Sequence, residues 1–343
     1  MDKDTKPLVC ISIPTYNSGR TLAATLESVL NQTYQNLLVQ VVDNASTDST
    51  VAVARSFSDP RLSVHQNPEN IGAEGNFNRC ITLSKGKYSA IYHADDLYEP
   101  TMIEKQVLFL EAHPEAKAVF VEASLIDENG AFIGSISQPA ELAAAGELND
   151  FPSVFKAILK HSNFLICPSV MVLTELYRSE IREWRGELFR TSADLDVWLR
   201  ILQRGPIGLI PEALMRYRIS SSQWSAKVRL DTRRADFFVV IDHYLAMEDV
   251  RAQLTIADLQ NYERLEQRDK AMRAANAFLQ DQQETARQLC SEVLLRRSFI
   301  DTLRNKRSLL VFMLVVYLRV ALLTGMYRPA KAVLMQLKQR INK

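Results

Sequence analysis

Two adjacent carboxylates, Asp95 and Asp96, follow a histidine in the segment His93-Ala94-Asp95-Asp96. Neighbouring carboxylates repel each other, so water or a cation must compensate their charge. Carboxylate oxygens suit Mg²⁺ or Mn²⁺, which proteins usually hold between one or two carboxylates and the phosphates of a substrate. A solvated turn that caps the next helix would use the same residue types. The segment alone therefore leaves both interpretations open.

A second acidic pair, Asp194 and Asp196, lies at the start of an apolar helical pattern that continues through Trp198 and Leu199. Ser192 has the residue type of an N-cap, and the helix dipole stabilises a carboxylate in the first turn. Taken alone, this pattern indicates no more than the ordinary chemistry of a helix start.

The first acidic pair must be positioned by the elements around it. Residues 88–92 are rich in aromatic and apolar side chains, which predicts a short buried strand ending just before the pair. Apolar runs at residues 8–13 and 37–42 predict two further strands, the second of which ends at Asp43. Helical patterns separate these strands, and this alternation predicts a parallel sheet with right-handed crossovers. The carboxyl ends of the strands would then share one edge, where open α/β sheets bind ligands.

Several functional classes are not supported by the sequence. The first predicted strand is followed by Pro-Thr-Tyr-Asn-Ser-Gly and not by GxGxxG, and GxxxxGK[ST] does not occur, so neither a dinucleotide site nor a P-loop is expected. The 41 basic and 40 acidic residues nearly cancel, so we expect no nucleic acid partner. The four cysteines lack CxxC spacing, and the first residues do not have the pattern of a secretory signal. Both features predict a reducing, cytoplasmic location.

Four motifs occur in order along the chain, and they are Ile13-Pro14-Thr15-Tyr16-Asn17, Val41-Val42-Asp43-Asn44-Ala45-Ser46-Thr47-Asp48, Asn70-Ile71-Gly72 with Asn78, and His93-Ala94-Asp95-Asp96-Leu97-Tyr98-Glu99-Pro100. This series resembles that of the family 2 inverting glycosyltransferases with the GT-A fold, over roughly residues 8–220. The resemblance implies an α/β fold with a Rossmann-like, mostly parallel sheet flanked by helices. It also implies a set of donor-binding residues, which are Pro14, Thr15, Tyr16, Asn17, Asp43, Asn44, Gly72, Asn78, His93 and Asp95.

The resemblance also implies individual roles. Residues 14–17 would line the nucleotide, and Asp43 would hold its base. Asp95 and Asp96 would bind the ribose and a divalent cation, Mg²⁺ or Mn²⁺, and which of them contacts the metal stays open. Asp194 would be the general base, because an acceptor hydroxyl must lose its proton as it attacks the anomeric carbon in line with the departing phosphate.

Some positions depart from the family pattern. Where the family often has an Asp, an Arg, a Glu and a metal-binding His, this chain has His93, Phe77, Ala193 and Ser220. These differences keep open the alternative of a catalytically inactive nucleotide-sugar-binding protein. A processive polysaccharide synthase of the same fold is another alternative, although Gln203-Arg204 is not followed by the Trp of its usual motif.

Residues 1–225 are predicted to form the GT-A domain and residues 226–343 a helical extension, since Gly and Pro almost vanish there and helical periodicity dominates. Within the first domain, residues 140–150 are predicted to form an exposed loop.

The end of the chain is strongly basic. Residues 304–343 contain nine Lys or Arg and no Asp or Glu, beside an apolar stretch interrupted by Arg319. This pattern favours an amphipathic segment lying on an anionic membrane surface over a spanning helix, because a central Arg is costly in the bilayer. A buried helical hairpin or a homodimer interface is the alternative.

These features together predict an inverting glycosyltransferase that moves a sugar from a nucleotide-diphosphate donor, which we expect to be a UDP-sugar, to a saccharide acceptor. The basic, apolar tail suggests that the acceptor is carried on a lipid. The family likeness suggests assembly of a bacterial surface polysaccharide such as O-antigen or capsule, with the protein peripheral on the inner face of the cytoplasmic membrane.

Overall fold

The computed structural model describes residues 6–220, 231–295 and 306–341. The contacts within the chain divide it into two compact units, Met1–Ile219 and Ser220–Lys343. The first unit contains a β-sheet flanked by helices, and the described part of the second unit is helical.

Within the described residues, the first unit has ten strands in one sheet. They are β1 (Val9–Thr15), β2 (Leu37–Asp43), β3 (Leu62–Gln66), β4 (Tyr88–Ile91), β5 (Leu97–Tyr98), β6 (Ala118–Ile126), β7 (Phe132–Ile136), β8 (Leu148–Asn149), β9 (Met171–Leu173) and β10 (Ile207–Arg218). The order along the sheet is β3-β2-β1-β4-β9-β6-β10-β5, with β7 beside β6 and β8 beside β10. The longest ladders, β1 with β2 and β6 with β10, are parallel, whereas the antiparallel pairings are short.

The α-helices of the first unit cover the sheet and connect its strands. They are α1 (Leu22–Leu30), α2 (Thr50–Ser56), α3 (Gly72–Leu83), α4 (Met102–Ala112), α5 (Ala140–Ala145), α6 (Phe151–His161), α7 (Thr174–Leu176), α8 (Gly186–Phe189) and α9 (Ala193–Leu202). The core lies between these layers. Val9, Ile11 and Ile13 of β1 are fully buried together with Leu22 and Leu26 of α1. Burial of each such side chain contributes about 1.5–3 kcal/mol to the free energy of unfolding.

The sheet register brings the strand ends together at one edge. Thr15, the last residue of β1, is paired with Asp43, the last residue of β2. On the other side of β1, Ser12 is paired with Ile91, so the chain leaves β4 beside β1 and reaches His93 two residues later. As predicted, the polar clusters that end these strands therefore lie along a common edge.

The prediction of an exposed loop at residues 140–150 is wrong. Ala140–Ala145 is helical, and Leu148–Asn149 pairs with Ile207 and Gly208 of β10. The alanine-rich run has a high intrinsic helix propensity. The short strand, in contrast, depends on a neighbour far away in the sequence.

The described helices of the second unit are α10 (Asp236–Leu245), α11 (Glu248–Arg251), α12 (Ile256–Leu279), α13 (Gln283–Leu295), α14 (Lys306–Thr324) and α15 (Tyr327–Ile341). A capping box of Thr255 and Asp258 begins α12. Small side chains of α12, such as Ala271 and Ala274, are fully buried against apolar residues of α13 and α14 and allow close packing of these helices. The prediction that the chain ends in a helical region is confirmed.

Candidate active site

The loops that follow β1 and β2 are tied together at the sheet edge. The backbone N–H of Asn17 donates to Ser46 Oγ over 2.9 Å, and the side-chain oxygen of Asn17 accepts from the N–H of Thr47 over 2.9 Å. Asn17 has φ +52°, a left-handed conformation that Asn tolerates better than most residues. The N–H of Ser18 donates to Thr50 Oγ1 over 2.7 Å. The two loops therefore form one wall of the candidate site. This wall contains residues 14–17, Asp43 and Asn44, which the sequence predicts to bind the donor.

Asp43 is buried at the base of this wall. Its Oδ1 accepts from Thr15 Oγ1 over 3.1 Å, and its Oδ2 accepts from the N–H of Ser46 over 3.0 Å. The carboxylate is thus part of the link between the two loops. Pro14 is partly buried, whereas Tyr16 is 50% exposed and is the most accessible of the predicted nucleotide-lining residues with large side chains.

Asn44 is the centre of a buried amide network. Its Nδ2 donates to Asn70 Oδ1 over 2.8 Å and to the carbonyl of Gly72 over 3.0 Å. Its Oδ1 accepts from Asn67 Nδ2 over 2.9 Å and from the N–H of Ile71 over 3.0 Å. Because a primary amide offers two donors and two acceptor positions, the side chain of Asn44 is saturated by the protein. The side chain positions the loop before α3, and a contact of Asn44 with a donor stays a prediction.

Gly72 and Asn78 lie on α3, which this network anchors. Gly72 begins the helix with φ +79°, a conformation that L side chains adopt only with strain. The Oδ1 of Asn78 accepts from the N–H of Trp184 over 2.7 Å. Asn78 is therefore engaged with a segment more than one hundred residues further along the chain.

His93, Asp95 and Asp96 come together at the end of β4. One ligand atom from each of these residues lies within 4.8 Å of the others, an arrangement that could hold a metal ion. The loop is fixed by a hydrogen bond of 2.8 Å from the His93 N–H to the Tyr98 hydroxyl, and by one of 2.8 Å from Thr25 Oγ1 to the carbonyl of Asp96. The sequence assigned His93 to the donor and not to the metal, and the structure brings it into the same cluster as the two carboxylates.

Asp96 is fully buried, and its two oxygens differ. Oδ1 accepts from the N–H of Arg218 over 2.8 Å, whereas Oδ2 has no hydrogen-bond partner in the described part of the chain and lies 3.7 Å from His93 Nδ1. Burial, together with the charge of Asp95, raises the pKa of Asp96 well above its usual value. A buried carboxylate oxygen without a donor carries a desolvation cost that a cation would relieve. This orphaned oxygen fits a divalent cation.

The surroundings of His93 favour a neutral imidazole, which is the form that binds metals. Burial lowers the pKa of His93, and the charge of Asp95 only partly opposes this. Phe77 stands 6.0 Å from the imidazole, centroid to centroid, in an edge-to-face arrangement, and 4.5 Å from the Trp184 ring. Phe77, which stands where the family often has an Arg, thus places an apolar ring beside the imidazole of His93.

Asp194 is partly buried in the first turn of α9. Burial raises the pKa of Asp194 to about 6, although its Oδ1 accepts from the N–H of Leu195 over 2.8 Å. A carboxylate with a pKa near 6 is ionised at neutral pH and is still basic enough to accept a proton from a hydroxyl as it reacts. These properties suit a general base.

Asp196 has a different environment two residues later. It is fully buried, and its Oδ2 accepts from Nε of Arg185 and from Nε of Arg200, each over 2.9 Å. Arg185 also donates to Oδ1. The two guanidinium groups account for the buried charge, so Asp196 has a structural role at the start of α9.

The segment that carries Arg185 is in turn held by α3. The N–H of Gly186 donates to Glu74 Oε1 over 2.8 Å, next to the bond between Asn78 and Trp184. Helix α3 therefore positions the segment that contains Arg185. Arg185 in turn binds Asp196 in the first turn of α9, the helix that also carries Asp194. No local sequence pattern marks Glu74 or Arg185 for these roles, because the contacts join separate parts of the chain.

The charges of both acidic centres act on the same two side chains, Cys167 and Tyr217. Burial, followed by the charges of Asp194 and Asp96, raises the pKa of the Cys167 thiol well above its usual value. Burial and the charges of Asp96, Asp95 and Asp194 also raise the pKa of Tyr217. Both acidic centres are therefore within electrostatic range of the same two side chains, in one part of the first unit.

Comparison with known proteins identifies a family. A family model described as glycosyl transferase family 2 matches residues 10–163. The putative glycosyltransferase EpsE of Bacillus subtilis (strain 168) is 30% identical over 229 residues, which are 64% of this chain and 76% of EpsE. The Escherichia coli protein WfaP, a UDP-Glc:alpha-D-GlcNAc-diphosphoundecaprenol beta-1,3-glucosyltransferase, is 30% identical over 200 residues, which are 58% of this chain and 71% of WfaP.

Two solved structures have a similar fold. The crystal structure of S. aureus TarS 1-349 in complex with UDP-GlcNAc matches with a TM-score of 0.60 and 16% identity, over 97% of this chain and 92% of that chain. The mannosyltransferase PcManGT from Pyrobaculum calidifontis, in complex with GDP-Man and Mn²⁺, matches with a TM-score of 0.54 and 18% identity, over 97% and 88% of the respective chains. The predicted fold, a GT-A sheet domain followed by a helical region, is confirmed.

Proposed function

The chain belongs to glycosyl transferase family 2, and from this premise we propose that it is an inverting glycosyltransferase that uses a nucleotide-diphosphate sugar and a divalent cation. The observation that carries the proposal is a pair of acidic centres in one unit, the cluster of His93, Asp95 and Asp96 and the start of α9. One contains a buried carboxylate with an orphaned oxygen, and the other contains a carboxylate whose pKa is raised to about 6. A metal-bound diphosphate and a general base are the two parts that this transfer needs.

The donor would bind along the sheet edge. Pro14, Thr15, Tyr16 and Asn17 would line the nucleotide, and Asp43 would support this wall and the base. His93, Asp95 and Asp96 would hold Mg²⁺ or Mn²⁺, and the cation would supply positive charge to the diphosphate leaving group. The Asp96 Oδ2 is the oxygen with unused acceptor capacity, which favours Asp96 as a ligand.

The transfer step would use Asp194. The acceptor hydroxyl attacks the anomeric carbon on the face opposite the diphosphate, while the Asp194 carboxylate takes the hydroxyl proton. The new bond joins the acceptor oxygen to the anomeric carbon, and the bond between that carbon and the phosphate oxygen breaks. The nucleoside diphosphate leaves with the bonding electrons, and the configuration at the anomeric carbon is inverted.

We take the donor to be a UDP-sugar and the acceptor to be a saccharide on a lipid diphosphate. WfaP uses UDP-Glc and a diphosphoundecaprenol acceptor according to its name, and the solved TarS structure contains UDP-GlcNAc. These similarities support a role in bacterial surface-polysaccharide assembly on the inner face of the cytoplasmic membrane.

The donor and catalytic residues all precede residue 220, so residues 1–225 would form the catalytic domain and residues 226–343 the membrane-associated extension.

Titration calorimetry with UDP, with and without Mn²⁺, tests the donor half of the proposal. We expect UDP to bind more tightly with Mn²⁺ than with EDTA, and Asp43→Ala to weaken binding in both conditions because it loosens the donor wall. Equal affinity with Mn²⁺ and with EDTA would exclude the metal assignment. Incubation of UDP-sugars with Mn²⁺ then tests catalysis. Binding without any UDP release, with or without acceptor, would favour the inactive binding protein.

A further inference from the structure

Helix α14 has two opposite apolar faces, and the described part of the second unit covers one of them. Val315, Leu318 and Leu322 are buried, and they belong to the same apolar cluster as Phe278 of α12 and Cys290 of α13. Residues three or four apart lie on the same side of a helix, so these side chains form a single face that is packed against protein.

The other face of α14 is an exposed apolar stripe, which we define as Leu310, Met313, Val316, Val320 and Leu323. Leu310 is 65% exposed, Met313 57% and Leu323 80%. Successive members are three or four residues apart, so the stripe follows one side of the helix over its length. Soluble proteins rarely expose a continuous apolar surface of this kind without a partner.

The charges around the stripe identify the kind of partner. Lys306 and Arg307 are exposed at the beginning of α14, Arg319 is exposed beside the stripe, and Arg328 is exposed just after the helix. Residues 304–343 contain no acidic residue. An apolar stripe flanked by basic side chains is complementary to acyl chains below a layer of anionic headgroups.

Helix α14 is also long and apolar enough to cross a membrane by length and composition. Its packed face argues against a crossing. The helix α12, which packs on it, contains eight charged residues in its 24 positions, and charges inside the hydrocarbon layer are costly. A crossing α14 would have to carry these charges into the bilayer or lose its packed face.

We propose that the stripe of α14 binds the surface of an anionic bilayer, with the helix lying in the membrane plane and its opposite face still packed on α12 and α13. This inference rests on the proposed function, in which the acceptor is linked to a lipid. Binding of the stripe to the bilayer would hold the enzyme close to that acceptor. It assigns the contact to specific residues and to an in-plane orientation.

Co-sedimentation of the full-length chain with phosphatidylcholine vesicles, with and without phosphatidylglycerol, tests the proposal. We expect binding to the anionic vesicles, partial release by high salt, and full release by alkaline carbonate. The double substitution Met313→Ser with Leu323→Ser should weaken binding by roughly tenfold or more, because it removes two exposed apolar side chains from the contact. The control is Ile256→Ser, since Ile256 is 78% exposed but lies at the start of α12, outside the stripe; this variant should bind normally.

Three results would overturn the proposal. The full-length protein could stay in the supernatant with anionic vesicles at low salt. It could resist carbonate and require detergent, which would indicate a spanning helix. The double variant could bind vesicles normally but change from dimer to monomer by light scattering, which would assign the stripe to a second copy of the chain. Calorimetry with UDP and Mn²⁺ is run on the same samples, so a failure of the donor site is detected separately from a failure of the stripe.

Discussion

The acidic pair that follows β4 and the acidic pair that begins α9 each contain one fully buried carboxylate, Asp96 and Asp196. Asp196 accepts hydrogen bonds from two guanidinium groups. Asp96 accepts one backbone hydrogen bond, and its second oxygen has no partner among the described residues. The same side chain at the same depth is thus paired with arginines in one place, and in the other it keeps an oxygen without a partner among the described residues. This difference separates a structural carboxylate from a candidate ligand.

The less buried carboxylates of the two pairs, Asp194 and Asp95, also have different surroundings. Asp194 is partly buried, no arginine among the described contacts binds it, and burial raises its pKa to about 6. Asp95 adds its charge to a cluster with Asp96 and His93. We therefore expect substitutions in the α9 pair to affect either proton transfer or folding, and substitutions in the β4 pair to affect metal-dependent binding.

The largest effect is expected for Asp194→Asn. The amide keeps the shape of the side chain but cannot accept the proton, and a general base typically contributes about 10²–10⁴-fold to the rate. Turnover of a UDP-sugar with acceptor should fall by that factor, while calorimetric binding of UDP and Mn²⁺ stays nearly unchanged. Turnover at the wild-type rate would show that another group is the base.

Asp196→Asn should instead destabilise the fold. Removing the charge leaves Arg185 and Arg200 without their shared carboxylate, and breaking a buried ion pair costs about 3 kcal/mol or more. Urea unfolding measures this. The matched control is Glu212→Gln, which breaks the exposed pair with Lys105 and should cost less than about 1 kcal/mol. Equal losses in the two variants would contradict the structural role of Asp196.

The rate of transfer should depend on the ionisation of Asp194. Its folded-state pKa is raised to about 6, and the active form is deprotonated, so activity is retained above this pKa and lost as the pH falls through it. At pH 5 about one tenth of the groups would be ionised and kcat would fall about tenfold. Turnover at saturating donor and Mn²⁺ measures this, with UDP binding followed at each pH. An unchanged kcat between pH 7 and pH 5 would contradict the assignment.

Asp96→Asn should have an effect of opposite sign to Asp196→Asn. Without metal, the amide replaces a buried carboxylate whose charged form is disfavoured by burial and by the charge of Asp95, and it should raise the free energy of unfolding by about 1 kcal/mol. Addition of Mn²⁺ and UDP should stabilise the wild type and leave the variant nearly unaffected. Thermal melting with and without these ligands measures both results. A loss of stability as large as that of Asp196→Asn would remove the distinction between the two carboxylates.

The smallest effect is expected for Glu74→Ala. It removes the hydrogen bond that holds Gly186 beside Arg185, and a hydrogen bond of this kind contributes about 1 kcal/mol, or roughly fivefold in rate if it positions Asp194. The value of kcat should fall while the KM for donor changes little. Glu74→Gln keeps an acceptor and should restore most of the rate. No rescue by Gln, or an unchanged kcat for Ala, would show that this contact does not position the base.

The scaffold of the site could be predicted from the sequence, because hydrophobic periodicity and turn residues are local. The strand ends at Thr15 and Asp43, and the segment that carries His93, are marked by apolar runs that stop at polar residues. Parallel winding then requires these ends to share an edge. The order of the motifs likewise identified the family, which the comparisons confirm.

Only the tertiary structure determined how deeply each polar side chain is buried and which hydrogen-bond partners it has. Asn44 matched a donor-site motif, yet its amide is saturated by residues 23 to 28 positions away. Asp194 and Asp196 are two residues apart and look alike in sequence, but Arg185 and Arg200 converge on one of them alone among the described contacts. Asp96 receives the N–H of Arg218 from 122 residues away. Burial and pairing arise from contacts between distant segments, and these contacts determine which carboxylate is paired with arginines, which has a raised pKa and which keeps an unpartnered oxygen among the described residues.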